Sequence, residues 1–367
     1  MLPLRQQIPL CIATLCFILI TGNGIAQENI QKLGVGIHPF TGFVWAHKKE
    51  IDNLKAPIYG SSIDVRVKTA NHKYWHRKFH QPFWGVRLYY AYLGNPDITG
   101  SVYGILPYIE LPVIKKQKWQ WNLRGSTGLG YVTKPFNSTN NPENGTVGSY
   151  INANMSAHGV ISIFLTNQTE LTLMGGITHF SNGNIKLPNL GLNLPDATIG
   201  VTHYLKNTRV EHTKPKKFED FKHEYSLIAL CGSKNINHLF STRVMPVSLQ
   251  LRYGYSVSSI SKLGGGVDFF YDEGNLFSEQ QKEKEGFTHA FETGIKASYE
   301  LKISRLSFMC DLGAYVYNKS KSKRVVYQQV GLKWQASKNI FLYSILKAHF
   351  DSADYFGFGV GYSFFGR

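Results

Sequence analysis

The sequence predicts an all-β protein: a transmembrane, antiparallel, up-and-down β-barrel of about 14 strands, with 12–16 allowed, after a cleaved signal peptide. Three observations point there. The chain opens on an export-type segment. Period-two alternation dominates after residue 30, in runs long enough to cross a bilayer. The chain closes on an aromatic, alternating strand.

The export segment has Arg5, an apolar run from Ile8 to Ile20, and then Gly24-Ile25-Ala26 ahead of Gln27. That is the layout of a signal peptide with a small-x-small cleavage site, and its apolar core is too short to span a membrane as a helix. Residues 1–26 are expected to be removed, leaving 27–367 as one barrel domain.

The alternation is clearest over three stretches. From Trp119 to Tyr131 the odd positions carry Trp119, Trp121, Leu123, Leu129 and Tyr131, and the even ones carry Gln120, Asn122, Arg124 and Ser126. Ile151 to Leu165 and His289 to Leu301 repeat the pattern. Strands of soluble sandwiches usually run about 5–6 residues, whereas these exceed the length a tilted membrane strand needs. An apolar face turned to lipid and a polar face turned to the lumen follow. Tyr355 to Phe365 reads as the closing strand. About sixteen candidate strands lie between Leu33 and Phe365, and merging of adjacent pairs gives the expected 14. The basic stretch 207–220 could divide two halves but reads better as a long loop.

The chain carries 40 Lys and Arg against 24 Asp and Glu, a net charge of +16. The basic residues cluster in turns, at Lys115 to Lys118, Lys214 to Lys217 and Lys319 to Arg324. Phosphorylated lipid headgroups are the natural counter-surface, with solubilising turns as the plain alternative. Nucleic acid is a poor alternative for an exported protein, and none is expected as a partner. Cys231 and Cys310 remain after the signal peptide, either paired by an oxidising compartment or unpaired on strands. His72, His76 and His80 recur every fourth residue but lie among Lys73, Arg77 and Lys78, and no metal or cofactor is expected.

Residues 168–205 carry the chemistry. His179 and Ser181 share odd parity with Leu171, Leu173 and Ile177, which puts both on the lipid-facing side. Two residues apart on one strand face, they stand ~6.5–7 Å apart at the backbone, within side-chain reach. An imidazole beside a hydroxyl is the minimal activated nucleophile for attack on an ester. Asn182 and the backbone N–H of Gly183 follow directly, where an oxyanion hole is wanted. His203 also faces outward, as a neighbour of this site or as an interfacial residue.

His179-Phe180-Ser181-Asn182-Gly183 and Pro188-Asn189-Leu190-Gly191 resemble the lipid A 3-O-deacylase family of outer-membrane barrels, whose members include acyloxyacyl hydrolases. The resemblance implies His179 as base, Ser181 as nucleophile and Asn182 as oxyanion contributor. The family's acidic third member falls on Asn193, two residues after Gly191. An asparagine there orients imidazole by accepting from Nδ1–H but lends no charge; Asp196, three residues on, is the charged alternative. The implied substrate is lipid A or lipopolysaccharide in the outer leaflet of the bacterial outer membrane, with a homodimer left open. The competing class is a non-enzymatic barrel, whether channel, lipid-transport component or structural protein, that keeps a decayed site.

Overall fold

The computed structural model describes residues 33–69, 74–205, 222–236, 242–276, 287–319, 325–350 and 352–366. The expected signal peptide, the basic runs Lys214 to Lys217 and 320–324, and His72 lie outside the described residues.

The strands close twice. The first barrel comprises β1 (Leu33–Phe43), β2 (Pro57–Lys68), β3 (Phe83–Tyr92), β4 (Ser101–Lys115), β5 (Trp119–Val132), β6 (Ile151–Phe164), β7 (Thr169–Ser181) and β8 (Leu192–Tyr204). Every neighbour is antiparallel, and β1 closes on β8 from Gly34↔Tyr204 to Gly42↔Asp196. After it come β9 (His223–Asn235), the two-residue β10 (Arg243–Val244), β11 (Val247–Ser256), β12 (Ser261–Tyr271), β13 (Phe291–Ile303), β14 (Leu306–Asn318), β15 (Val326–Gln335), β16 (Ile340–His349) and β17 (Ser352–Gly366). The closing strand β17 pairs with β9 from Phe356↔Ser233 to Gly366↔His223, making a second ring of eight with β10 outside it.

The expectation of one 14-stranded barrel is therefore corrected to two barrels of eight. Alternation reports which face of each strand is buried, but not which strand closes the ring. The basic stretch 207–220 lies outside the described residues, between β8 and β9 in sequence. The chain separates into two compact units on this plan, with the short segment Gly183–Leu187 grouped with the second.

Parity is obeyed in both barrels. Ile161 and Leu173 are 42% and 39% exposed, while their neighbours Ser162 and Thr172 are fully buried. In the second barrel Leu249, Leu263 and Ile295 face outward, with Gln250 and Asp268 inside. Such continuous apolar outer walls suit lipid rather than water.

The polar faces pair with themselves. In the first lumen, Asp64 accepts from Arg87 Nε at 3.1 Å and Arg124 at 2.6 Å, and Glu170 accepts from Arg66 at 3.1 Å and Tyr204 Oη at 2.8 Å. In the second, Lys296 lies between Asp268 at 2.9 Å and Asp311 at 3.0 Å, and Lys347 between Asp354 at 3.2 Å and Glu292 at 3.3 Å. Buried charges are tolerable only when paired in this way. Among Glu224, Arg252, Glu300 and Lys333 a cavity of about 10 Å³ remains, close to the least a single water occupies. The charged lumen residues thus serve as a packed polar core.

One end of the first barrel is apolar inside. Phe40, Val44, Tyr89, Leu106, Val147, Phe180, Leu192 and Leu194 form a buried cluster there. Because Phe180 and Leu192 are anchored inward, their chain neighbours on β7 and β8 must project outward. Cys231 and Cys310 are both free and exposed, on β9 and β14, so the unpaired alternative holds.

Candidate active site on the outer wall of the first barrel

β7 and β8 are partners, and His179 stands directly opposite Asn193 in their register. Both lie on the outer face. His179 Nδ1 and Asn193 Oδ1 are 2.6 Å apart. An amide oxygen only accepts, so the imidazole proton is on Nδ1 and the Nε2 lone pair is left available.

Ser181 ends β7 on the same face as His179, opposite Ala153 of β6. It is 6% exposed, covered where the strand enters the loop. Among the described residues its hydroxyl makes no hydrogen bond, so the structure brings His179 and Asn193 together but does not join Ser181 to His179.

The loop from 182 to 191 is held in place by its own polar side chains. Asn182 donates its backbone N–H to Asn189 Oδ1 at 2.9 Å. Leu190 and Gly191 donate to Gly145 O and Thr146 O, at 3.3 and 2.8 Å, on the long β5–β6 connection. Gly191 has φ +87°, and a Cβ there would lie 2.6 Å from His179 Cε1. Only glycine combines that backbone with that approach. The Pro-Asn-x-Gly pattern therefore has a local meaning: it lays bare backbone over the imidazole.

Three candidate residues are engaged elsewhere. Asp196 is even-numbered on β8, three residues from Asn193, and so faces the lumen. It meets His158 Nε2 at 3.0 Å and accepts from Thr198 Oγ1 at 2.9 Å. Parity separates it from His179, and the charged alternative to Asn193 is corrected on that ground. Asn182 directs its side-chain nitrogen to Ser149 Oγ at 2.9 Å. Gly183 has φ +58°. His203 bonds Thr169 Oγ1 at 3.2 Å, ten residues along β8 from Asn193, or ~33 Å; it is not a neighbour of the site.

A residue outside the motif joins the cluster. His47, on the segment after β1, lies with Nδ1 2.9 Å from Asn193 Nδ2. The same segment donates Trp45 N–H to Asn193 O at 2.9 Å. No spacing rule links His47 to a motif more than a hundred residues away. Only the closure of β1 on β8 brings it there.

Residues 62–202 match the family model described as lipid A 3-O-deacylase (PagL), and residues 223–367 match the model described as acyloxyacyl hydrolase, C-terminal domain. The first match runs from β2 through β8 and holds the His179 cluster; the second begins with β9. No curated protein matches the sequence. Among solved structures the chain is similar to Neisserial surface protein A, at 11% identity and TM-score 0.34 over 47% of this chain and 97% of that one. It is also similar to the toluene transporter TodX of Pseudomonas putida, at 10% identity and TM-score 0.19 over 94% and 92%.

Proposed function

We propose that this chain, which belongs to the lipid A 3-O-deacylase family, removes an ester-linked acyl chain from lipid A in the outer leaflet of the bacterial outer membrane. The observation that carries the reading is the 2.6 Å contact between His179 Nδ1 and Asn193 Oδ1 on an outward, otherwise apolar wall.

In this mechanism Ser181 Oγ attacks the ester carbonyl as His179 Nε2 takes its proton. The tetrahedral oxyanion is met by the backbone N–H of Gly183, while Asn182, bonded to Asn189 Oδ1 and Ser149 Oγ, holds the turn that presents it. His179 then returns the proton to the departing sugar hydroxyl. Water, activated by the same imidazole, releases the fatty acid from Ser181. Asn193 holds the tautomer but carries no charge to stabilise the imidazolium.

Location on the barrel supports the substrate class. Ser181 lies at the end whose four connections are all extended (44–56, 93–100, 133–150 and 182–191), whereas the opposite end has the short turns 116–118 and 165–168 and one longer connection, 69–82. In outer-membrane barrels the long loops face outside. Exposed Tyr90, Tyr103, Tyr131 and Tyr150 mark an aromatic girdle at that end, the usual sign of the membrane–water boundary. Ala153, Leu129, Ile105, Leu88 and Ile63 continue the cross-strand row of Ser181 just inside the girdle. A groove of about 650 Å³ follows several of them, and its walls are mainly apolar. An ester at the headgroup boundary, with its acyl chain against this wall, fits that arrangement. The basic run Lys115 to Lys118 lies at the opposite end and has no part in holding this headgroup.

The test is the lipid A mass spectrum of cells that express the chain, compared with cells expressing Ser181→Ala. Loss of one fatty-acid mass only with the wild-type chain is expected. Identical spectra would end the proposal.

A further inference from the structure

We infer that His47 is a positioning residue: by accepting from the side-chain nitrogen of Asn193, it holds the amide oxygen toward His179 and so sets the imidazole tautomer. The inference rests on the deacylase reading above, and it concerns a residue outside the motif.

The argument is one of donors and acceptors. An asparagine side chain has an end that only accepts and an end that only donates, and a neutral imidazole has one nitrogen of each kind. Asn193 lies between two imidazole Nδ1 atoms, His179 on its oxygen at 2.6 Å and His47 on its nitrogen at 2.9 Å. With the amide in this orientation, the chain of bonds has one consistent assignment. His47 Nδ1 is bare and accepts from Asn193; Asn193 Oδ1 accepts from His179 Nδ1–H; His179 Nε2 is bare and faces the reaction.

Turning the amide over requires the proton on His47 Nδ1, which would donate to Asn193 Oδ1, and reverses each step. Asn193 nitrogen would then donate to His179 Nδ1, the proton would move to Nε2, and the base would be blocked. A wrong tautomer of this kind is ruinous in serine hydrolases. A carboxylate at position 193 would need no such device, since both its oxygens accept. The family's acid accepts from His179 in either orientation, whereas this chain's amide must be told which way to face.

His47 is placed to do so. Its segment is tied to Asn193 through Trp45 N–H, and the buried Val44 anchors that segment in the apolar cluster. The Trp45 ring packs edge-on against the imidazole at 6.5 Å. Position, backbone and ring are thus all fixed relative to one amide group.

The experiment uses the full chain assembled in detergent, with heat-modifiable mobility as the check on folding. His47→Phe fills the space without an acceptor, His47→Lys offers only donors, and His47→Gln restores an acceptor. Expected kcat losses are about fivefold for His47→Phe, equivalent to ~1 kcal/mol for one hydrogen bond, and about 50-fold for His47→Lys, which forces the amide over. His47→Gln recovers most of the His47→Phe loss, and KM stays constant throughout. In an Asn193→Glu background, His47→Phe costs nothing further.

The tautomer of His179, read from 15N shifts of histidine-labelled Ser181→Ala protein, tests the same point without turnover. Nδ1–H is expected with His47 and Nε2–H with His47→Lys. Unchanged kcat in both assembled His47→Phe and His47→Lys, or an unchanged His179 tautomer, overturns the inference. Should Ser181→Ala retain activity, the deacylase reading fails separately, and the tautomer alone decides the role of His47.

Discussion

The two barrels solve the same folding problem and differ at one connection. Each closes eight antiparallel strands around paired charges, with apolar residues outside. In the first, the seventh and eighth strands are joined by ten residues, 182–191. In the second, His349 of β16 pairs with Ser352 of β17, so only two residues intervene. Both connections leave a histidine near the end of the seventh strand, but on opposite faces. His179 is outward and bonded to Asn193; His349 is inward, with Nε2 2.9 Å from Tyr315 Oη. One step of strand parity separates an imidazole facing lipid from one buried as a structural hydrogen-bonder. Among the described residues, the short turn after His349 brings no chain over the outer wall comparable to 182–191.

The sharpest break of this comparison is at Ser181, the proposed nucleophile. Ser181→Ala is expected to lower deacylation at least about 10³-fold, and His179→Asn by about 10²–10⁴-fold, both with the barrel fully assembled. His349→Asn in the second barrel should leave turnover of assembled protein within about twofold and lower stability by ~1 kcal/mol. Deacylation rates per folded molecule, alongside denaturant midpoints, check all three. Equal catalytic losses at 179 and 349 would erase the distinction between the barrels.

Gly191 comes next. Gly191→Ala drives a methyl against the imidazole at a φ of +87°, so the loop must lift or His179 must turn. A loss of about 10²-fold in kcat is expected, without loss of the folded barrel. Full activity in assembled Gly191→Ala would mean that the loop does not press on His179.

Much of this was legible in the residues. Ile161 against Ser162 and Leu173 against Thr172 gave the facing of β6 and β7, because a strand's side chains must alternate. The same parity put His179 and Ser181 outward. Ring closure was not legible: β8 and β9 alternate like any other pair, and nothing local to Tyr204 or His223 says that each closes a separate barrel. His47 was hidden for the same reason. Its neighbour Asn193 is set by the β1–β8 pairing, a contact between the two ends of a barrel. Asp196 misled by proximity in sequence, although its even number already assigned it to the lumen.

Asn193 has a smaller effect than the residues it serves. Asn193→Ala removes the acceptor for His179 Nδ1–H and is expected to cost about tenfold in kcat. Asn193→Glu supplies an acceptor and a charge beside the forming imidazolium, and a rise in kcat is expected from stronger stabilisation in a low-dielectric setting. Steady-state rates on purified lipid A check both. No loss in assembled Asn193→Ala would reduce the machinery to Ser181 and His179.

The smallest catalytic effect belongs to Asp196, and it separates wall from lumen most directly. Asp196 accepts from Thr198 and bonds His158 at 3.0 Å inside the barrel. His158 Nδ1 already has no hydrogen-bond partner, so Asp196→Ala would leave that buried imidazole without its carboxylate as well. Stranding a buried polar group costs ~1–3 kcal/mol, and the denaturant midpoint should fall accordingly. Turnover per folded molecule should stay within about twofold, because β8 turns Asp196 away from His179. If kcat instead dropped more than about tenfold while the barrel stayed assembled, the carboxylate would have to act through the wall on His179, and Asn193 would lose its place as the residue that orients it.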